Sequence, residues 1–440
     1  MFRFVLAALL LSPLQDPAPL KAGFAEVDIS PAPGTRKIGW NNKNYGTSVL
    51  DPLYARAAVF ESGEGRAAFI GLDLLFVHRD QVAEIRRRIQ EKHGFPGAAV
   101  MIGATHNHAG PAIETDLYPK DEAYVQMMIE KSVEAFGKAW ETRAEAEIGF
   151  GSVNEWHVGY NRRVVYRDGT AKCHGNFKDP NALMFEGPVD PEVAVLAARA
   201  KDGTLLGAIV NFACHPCHHG GDAIFSAGYP GQLARAMKEK KCPVTLFLQG
   251  AGGNIHHGDP SGLNKEKTME EAGQALAADV EKALAAMKYR GTAKISSRTR
   301  TLDLPYRTVA EDEIRGKIRG IQRFGEPGFY DKTQDLVLEE IRREGTAKAE
   351  VQAILIDDLA HVSIPAEYFV QHGLRIKEQT FPRRTRVVGY ANGMVGYVPH
   401  KEAFARGGYE TTFGYRSKLA PEAGDLLADA AIELLRPATK

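Results

Sequence analysis

The chain has 440 residues, 44% hydrophobic and 25% charged, a balance typical of globular proteins and outside the disordered and fibrous classes. Its 55 basic and 55 acidic side chains cancel, so no overall field gathers a nucleic-acid backbone or anionic lipid. No apolar run approaches the ~20 residues of a membrane-spanning helix, and neither a nucleic-acid partner nor a transmembrane helix is expected.

At the start, Met1-Phe2-Arg3, the apolar stretch Phe4 to Leu11 and the breaker Ser12-Pro13 predict a signal peptide over residues 1–20 and export to the periplasm or beyond. Strand-like and helical patterns then alternate: Arg66 to Phe76 as a strand, Arg79 to His93 as an amphipathic helix and Ala98 to Gly103 as a strand. The alternation returns with a strand at Leu205 to Ala213, a helix at Gly231 to Lys240, a strand at Pro243 to Leu248 and a long helix at Lys265 to Lys288. Residues 308–347 are charge-rich and helical in period, broken at Phe324-Gly325-Glu326-Pro327-Gly328, and predict a helical excursion on the surface. Two strands, Glu350 to Ile356 and Leu359 to Ile364, flank a turn at Asp357-Asp358, and Pro421 to Leu435 makes a last helix. With no sequence repeat or linker in view, the expectation is one large α/β domain over 21–440: a mixed, twisted β-sheet flanked by α-helices.

Half of the 14 histidines fall in three clusters, each just after a predicted strand: His106 and His108, then His215, His218 and His219, then His256 and His257. Ligand sites in α/β sheets form beyond the carboxyl ends of strands, so residues this far apart in sequence can share one crevice. If extended geometry continues past Ile102, the period of two puts His106 and His108 on one side, suited to one metal ion. Cys214-His215-Pro216-Cys217 admits three further readings: a redox dithiol, a structural zinc knot, or packing as small apolar residues. The first lacks a following helix and the second lacks another cysteine pair. Gln249 to Asn254 is glycine-rich, but without a Gly-Lys-Ser/Thr or a GxGxxG opening a helix it does not predict nucleotide binding. Neither HExxH nor G-x-S-x-G occurs.

An ordered series of segments resembles the neutral/alkaline non-lysosomal ceramidases, in particular their N-terminal catalytic domain in bacterial members. The segments are Ala22 to Pro31, Gly103-Ala104-Thr105-His106-Asn107-His108-Ala109-Gly110-Pro111, Asn161-Arg162, Gly187 to Glu192, Asn211 to Pro216, Leu248 to Asn254, Ile364-Pro365-Ala366-Glu367, and Tyr390 to Gly393 through Gly396-Tyr397-Val398 to Gly407-Gly408-Tyr409-Glu410. The resemblance implies a Zn2+ site formed by His106, His215, Glu367 and Tyr397. It further implies His108 beside the attacking water, and Arg162 and Tyr409 around the reacting carbonyl. The implied activity is hydrolysis of the N-acyl amide of a lipid or another acylated amine by zinc-activated water.

The sequence departs from the family at Ile255-His256-His257, near where ceramidases carry a serine, and at Ser226-Ala227-Gly228-Tyr229-Pro230-Gly231, where bacterial members often carry an aspartate. Family ceramidases also continue into an immunoglobulin-like domain. Ceramide itself is therefore less firmly implied than an N-acyl amide. The alternatives are a zinc esterase or phosphoesterase with a second metal at His256 and His257, and a non-catalytic zinc-binding relative.

Overall fold

Three stretches of chain follow one order of elements, strand-strand-strand-helix-strand-helix, although no sequence repeat announces it. The structure, a computed structural model, describes residues 18–40, 44–113, 121–325 and 328–436. The signal-peptide reading of 1–20 lies almost wholly outside the described residues.

The first unit runs β1 (Lys21–Asp28), β2 (Tyr54–Ser62), β3 (Gly65–Leu72), α1 (Arg79–His93), β4 (Val100–Ala104) and α2 (Glu122–Glu141). In the second come β5 (Glu147–Asn154), β6 (Glu192–Arg199), β7 (Leu205–Phe212), α3 (Gly228–Glu239), β8 (Thr245–Gln249) and α4 (Met269–Ala286). The third has β9 (Ile295–Pro305), an added helix α5 (Phe329–Glu344), β10 (Thr346–Ile356), β11 (Leu359–Ile364), α6 (Val370–Gln379), β12 (Arg384–Gly389) and α7 (Ala423–Leu435). In each unit the first three strands pair antiparallel, and the helix carries the chain to a fourth strand parallel to the third. The mixed α/β architecture holds, with three main sheets in place of the single sheet expected.

Side-chain patterning explains the layers. The parallel strands β4 and β8 and the strand β11 are buried along their whole length, so they read as continuous apolar runs rather than alternating ones. One face of each sheet meets the others in a shared core that holds Phe60, Phe69 and Met101 of the first, Leu196 and Leu246 of the second, and Ile354 and Val388 of the third. The opposite faces are covered by helix pairs: α1 and α2, α3 and α4, and α6 and α7. Helix α1 buries Val82, Ile85 and Ile89 at helical spacing, each contributing roughly 1.5–3 kcal/mol. It ends where Gly94 takes φ 62, a left-handed turn glycine adopts without strain. Helix α4 starts on a reciprocal cap between Thr268 and Glu271.

The expected strand through Phe76 stops at Leu72, because Asp73 leaves the ladder and takes the Tyr54 amide and the Arg56 guanidinium on its carboxylate. Helix α2, passed over in the sequence, carries a helix-period face of Tyr124, Val125, Met128, Ile129, Val133 and Phe136. The charge-rich segment does contain α5, but it also reaches inward: Phe324 lines the central cavity.

Candidate metal centre and its cavity

His106 and His108 follow β4, His215 follows β7, and Glu367 follows β11, so each unit sends residues from a strand end to one point. Nε2 of His106 lies 3.3 Å from Oε2 of Glu367, and Nε2 of His215 lies 3.4 Å from the same oxygen. His108 joins them, its Nε2 3.2 Å from Nε2 of His106. The backbone reason differs from the expected one: His106 is not extended but left-handed, with φ 63. That conformation costs on the order of 1 kcal/mol, and it is held by the ring stacked on Tyr390 at 3.9 Å and by Nδ1 on the Leu75 carbonyl at 2.8 Å.

All three imidazoles are oriented in the same way. Nδ1 of His106 donates to Leu75, Nδ1 of His108 to the Gly39 carbonyl at 2.9 Å, and Nδ1 of His215 to the Gly252 carbonyl at 2.7 Å. A carbonyl only accepts, so each neutral ring has its proton on Nδ1 and a lone pair on Nε2. Three lone pairs and a carboxylate oxygen therefore face one another with no proton among them. Nε2 of His215 and Oε2 of Glu367 are buried without any hydrogen-bond partner. Such a set is costly when empty and fits a divalent cation, with the backbone carbonyls fixing the rings from behind. Its N and O donors are those zinc takes.

Electrostatics keep the lone pairs available. Burial lowers the pKa of His215 to about 3, and burial together with the neighbouring imidazoles holds His108 well below its ordinary value.

Tyr397 stands across from Glu367 in a short parallel ladder, and its hydroxyl oxygen accepts from Nη2 of Arg162 at 3.0 Å. Arg162 is itself fixed, donating through Nε to Glu410 at 2.9 Å and through Nη2 to the Gly253 carbonyl at 3.0 Å. Glu410 also takes Arg163 at 2.6 Å, and Arg163 pairs with Glu186. Tyr409 lies beside Tyr397, ring centroids 5.6 Å apart. His108, Arg162, Tyr397 and Tyr409 all line a cavity of about 540 Å³, with Trp40 and Phe324 at its wall. The structure thus gathers all seven residues singled out in the sequence. Tyr390 and Glu410 lie inside the resembling segments without a signal of their own for this site, and Trp40 and Phe324 carry no motif. Cys214 and Cys217 are free thiols.

Two buried imidazoles, a half-buried third and a carboxylate at the meeting point of three mixed sheets define an α/β protein with a candidate cation centre beside a cavity. The chain is 21% identical to the neutral ceramidase of Pseudomonas aeruginosa across 98% of its own length and 74% of that protein. A crystal structure of the Pseudomonas aeruginosa neutral ceramidase superposes with a TM-score of 0.74 at 20% identity, covering 96% of this chain and 75% of that one. A ceramidase complexed with C2 gives 0.73 at 19%, covering 95% and 75%. No family model matches the chain. By this sequence similarity and these superpositions, the chain resembles the neutral ceramidase of Pseudomonas aeruginosa and shares its fold.

Proposed function

We propose that this protein is an exported zinc-dependent amidohydrolase that cleaves the N-acyl bond of a lipid or another acylated amine. The observation that carries the reading is the pair of Nε2 lone pairs of His106 and His215 facing Oε2 of Glu367, with Nε2 of His108 3.2 Å from that of His106. His106, His215, Glu367 and Tyr397 would hold the ion, which would supply Lewis acidity and water activated near neutral pH. His108 reaches the cavity and, unprotonated at neutral pH, accepts the water proton at Nε2 and passes it to the leaving amine; such a group contributes ~10²–10⁴-fold. Arg162 and Tyr409 stand on the cavity side, where donors stabilise the oxyanion forming on the carbonyl. The apolar rings of Trp40 and Phe324 suit an acyl chain, and the similarity to a neutral ceramidase favours an N-acyl lipid. Among the described residues no helix is long and apolar enough to cross a membrane; export rests on the N-terminal sequence.

The test is metal content of the purified protein together with turnover on N-acyl substrates of graded chain length, from soluble N-acyl amino acids to ceramide. The expected result is amide hydrolysis that a chelator and His215→Ala both abolish. Full activity without metal, or turnover of esters or phosphoesters but no amide, would overturn the proposal.

A further inference from the structure

We propose that Cys217, His256 and His257 form a second, separate site for a thiolate-binding divalent cation of the zinc type, opening on the same cavity as the first centre. One ligand atom from each of the three lies within 4.8 Å of the others. Cys217 and His256 line the cavity, while His257 is buried behind them. The two centres come from adjacent chain, since His215 and His256 face each other in a parallel bridge, but they have no ligand in common. The second is therefore not half of a carboxylate-bridged pair.

The surroundings prepare His257 for coordination. Oε1 of Glu266 lies 2.5 Å from its Nδ1, a contact that favours the proton there and the lone pair on Nε2, although Nδ1 makes no hydrogen bond of good geometry. That Nε2 is buried with no hydrogen-bond partner. The ring is clamped between two others, stacked on His256 at 4.0 Å and on His218 at 4.0 Å. His218 is anchored in turn by Nε2 on the Lys267 carbonyl at 3.1 Å. The thiol and the imidazoles are packed closely, and both ring nitrogens of His257 lack a hydrogen-bond partner, so the donor atoms are left unsatisfied. One sulfur and two nitrogens around zinc would satisfy them, and binding releases the Cys217 proton to solvent.

His256 enters on different terms. The Gly258 amide donates to its Nδ1 at 2.9 Å, so coordination through Nε2 requires the proton to move to Nδ1 and that bond to be surrendered. Removing His256 therefore weakens capture less than removing Cys217 or His257. This inference is independent of the amidase reading, because it concerns binding alone.

The experiment uses the full chain, with metal counted by mass spectrometry and with Co2+ as a spectroscopic probe. Two cations per chain are expected in the wild type, and one in Cys217→Ser and in His106→Ala. The first centre contains no sulfur, so a thiolate-to-cobalt charge-transfer band reports only the second. The band should appear in the wild type, in His106→Ala and in Cys214→Ser, and vanish in Cys217→Ser. Glu266→Gln, which keeps the side-chain volume, should weaken Co2+ binding at this band about 10–100-fold. The proposal is overturned by a single cation per chain with no sulfur band under excess Co2+, or by a band that survives Cys217→Ser. If Cys217→Ser fails to fold, equal cobalt affinity at the band in the wild type and Glu266→Gln overturns it.

Discussion

Glu410 is the buried anion on which Arg162 is mounted, and its replacement by glutamine gives a measurable quantity. Its two oxygens take Nε of Arg162 at 2.9 Å and Nη1 of Arg163 at 2.6 Å, and none of the three side chains is more than 4% exposed. Burial pushes the Glu410 carboxyl up, but Arg163 and Arg162 prevail and bring it from 4.5 to about 2. At 1.36 kcal/mol per unit, that drop is worth about 3 kcal/mol of folding stability. Removing one partner from a buried pair independently suggests ~3–5 kcal/mol. The folded pKa lies below the unfolded one, so the contribution is complete well above 4.5 and fades as pH falls toward 2. Urea unfolding should therefore show Glu410→Gln about 3 kcal/mol less stable than wild type at pH 7 and only ~1.5 kcal/mol less stable at pH 3, with equal m-values. A deficit below about 1 kcal/mol at pH 7, or the same deficit at both pH values, refutes the argument that the pair is ionised and uncompensated.

Three further outcomes follow from other parts of the fold. His361 is buried in β11, against Phe69 and with Nδ1 unpartnered, and burial and Arg386 lower its pKa to about 3. The unfolded chain takes up a proton below ~6.5 that the folded chain refuses, so His361→Gln should remove ~2–3 kcal/mol of the stability lost between pH 7 and pH 4.5, read by denaturant unfolding at both. A Cβ on Gly253 would stand 2.4 Å from the backbone oxygen of Glu367, so Gly253→Ala should displace that ligand and lower metal content and turnover together. Gly291→Ala, with nothing within 4 Å of the added carbon, should leave both unchanged. Phe324→Ala should raise KM by about 2- to 10-fold for long acyl chains while sparing short ones and kcat, since roughly 0.5–1.5 kcal/mol rides on an aromatic contact; an equal effect on both chain lengths would remove Phe324 from the acyl path.

Local signals were the most legible in the sequence. Helix α1 spans Arg79–His93 as expected because its apolar period, its glycine stop and its charged outer face all agree, and the β10–β11 hairpin turns at Asp357, whose φ is 56. Histidines at strand ends pointed correctly to a shared crevice, because open α/β sheets gather ligands there. The detailed geometry was not legible: His106 and His108 meet through a left-handed residue, a choice made by Tyr390 and Leu75, which are distant in sequence. The threefold order of elements was also hidden, since the equivalent strands β7 and β11 are followed by His215 in one unit and Glu367 in another. Glu410 escaped notice because a carboxylate beside a tyrosine carries no pattern until its arginines are seen in space.

The ion ligands and the cavity wall come from different places in the repeated unit. His106, His215 and Glu367 stand at strand ends beside the shared core, whereas Trp40, Arg162, His174 and Phe324 all sit on the connection between the first and second strands of their units. Lengthening or exchanging any one of these connections alters a single side of the chamber and leaves the coordinating residues where the sheets put them. Selection can thus retune what the chamber admits, one wall at a time, without moving the candidate ligands at its base.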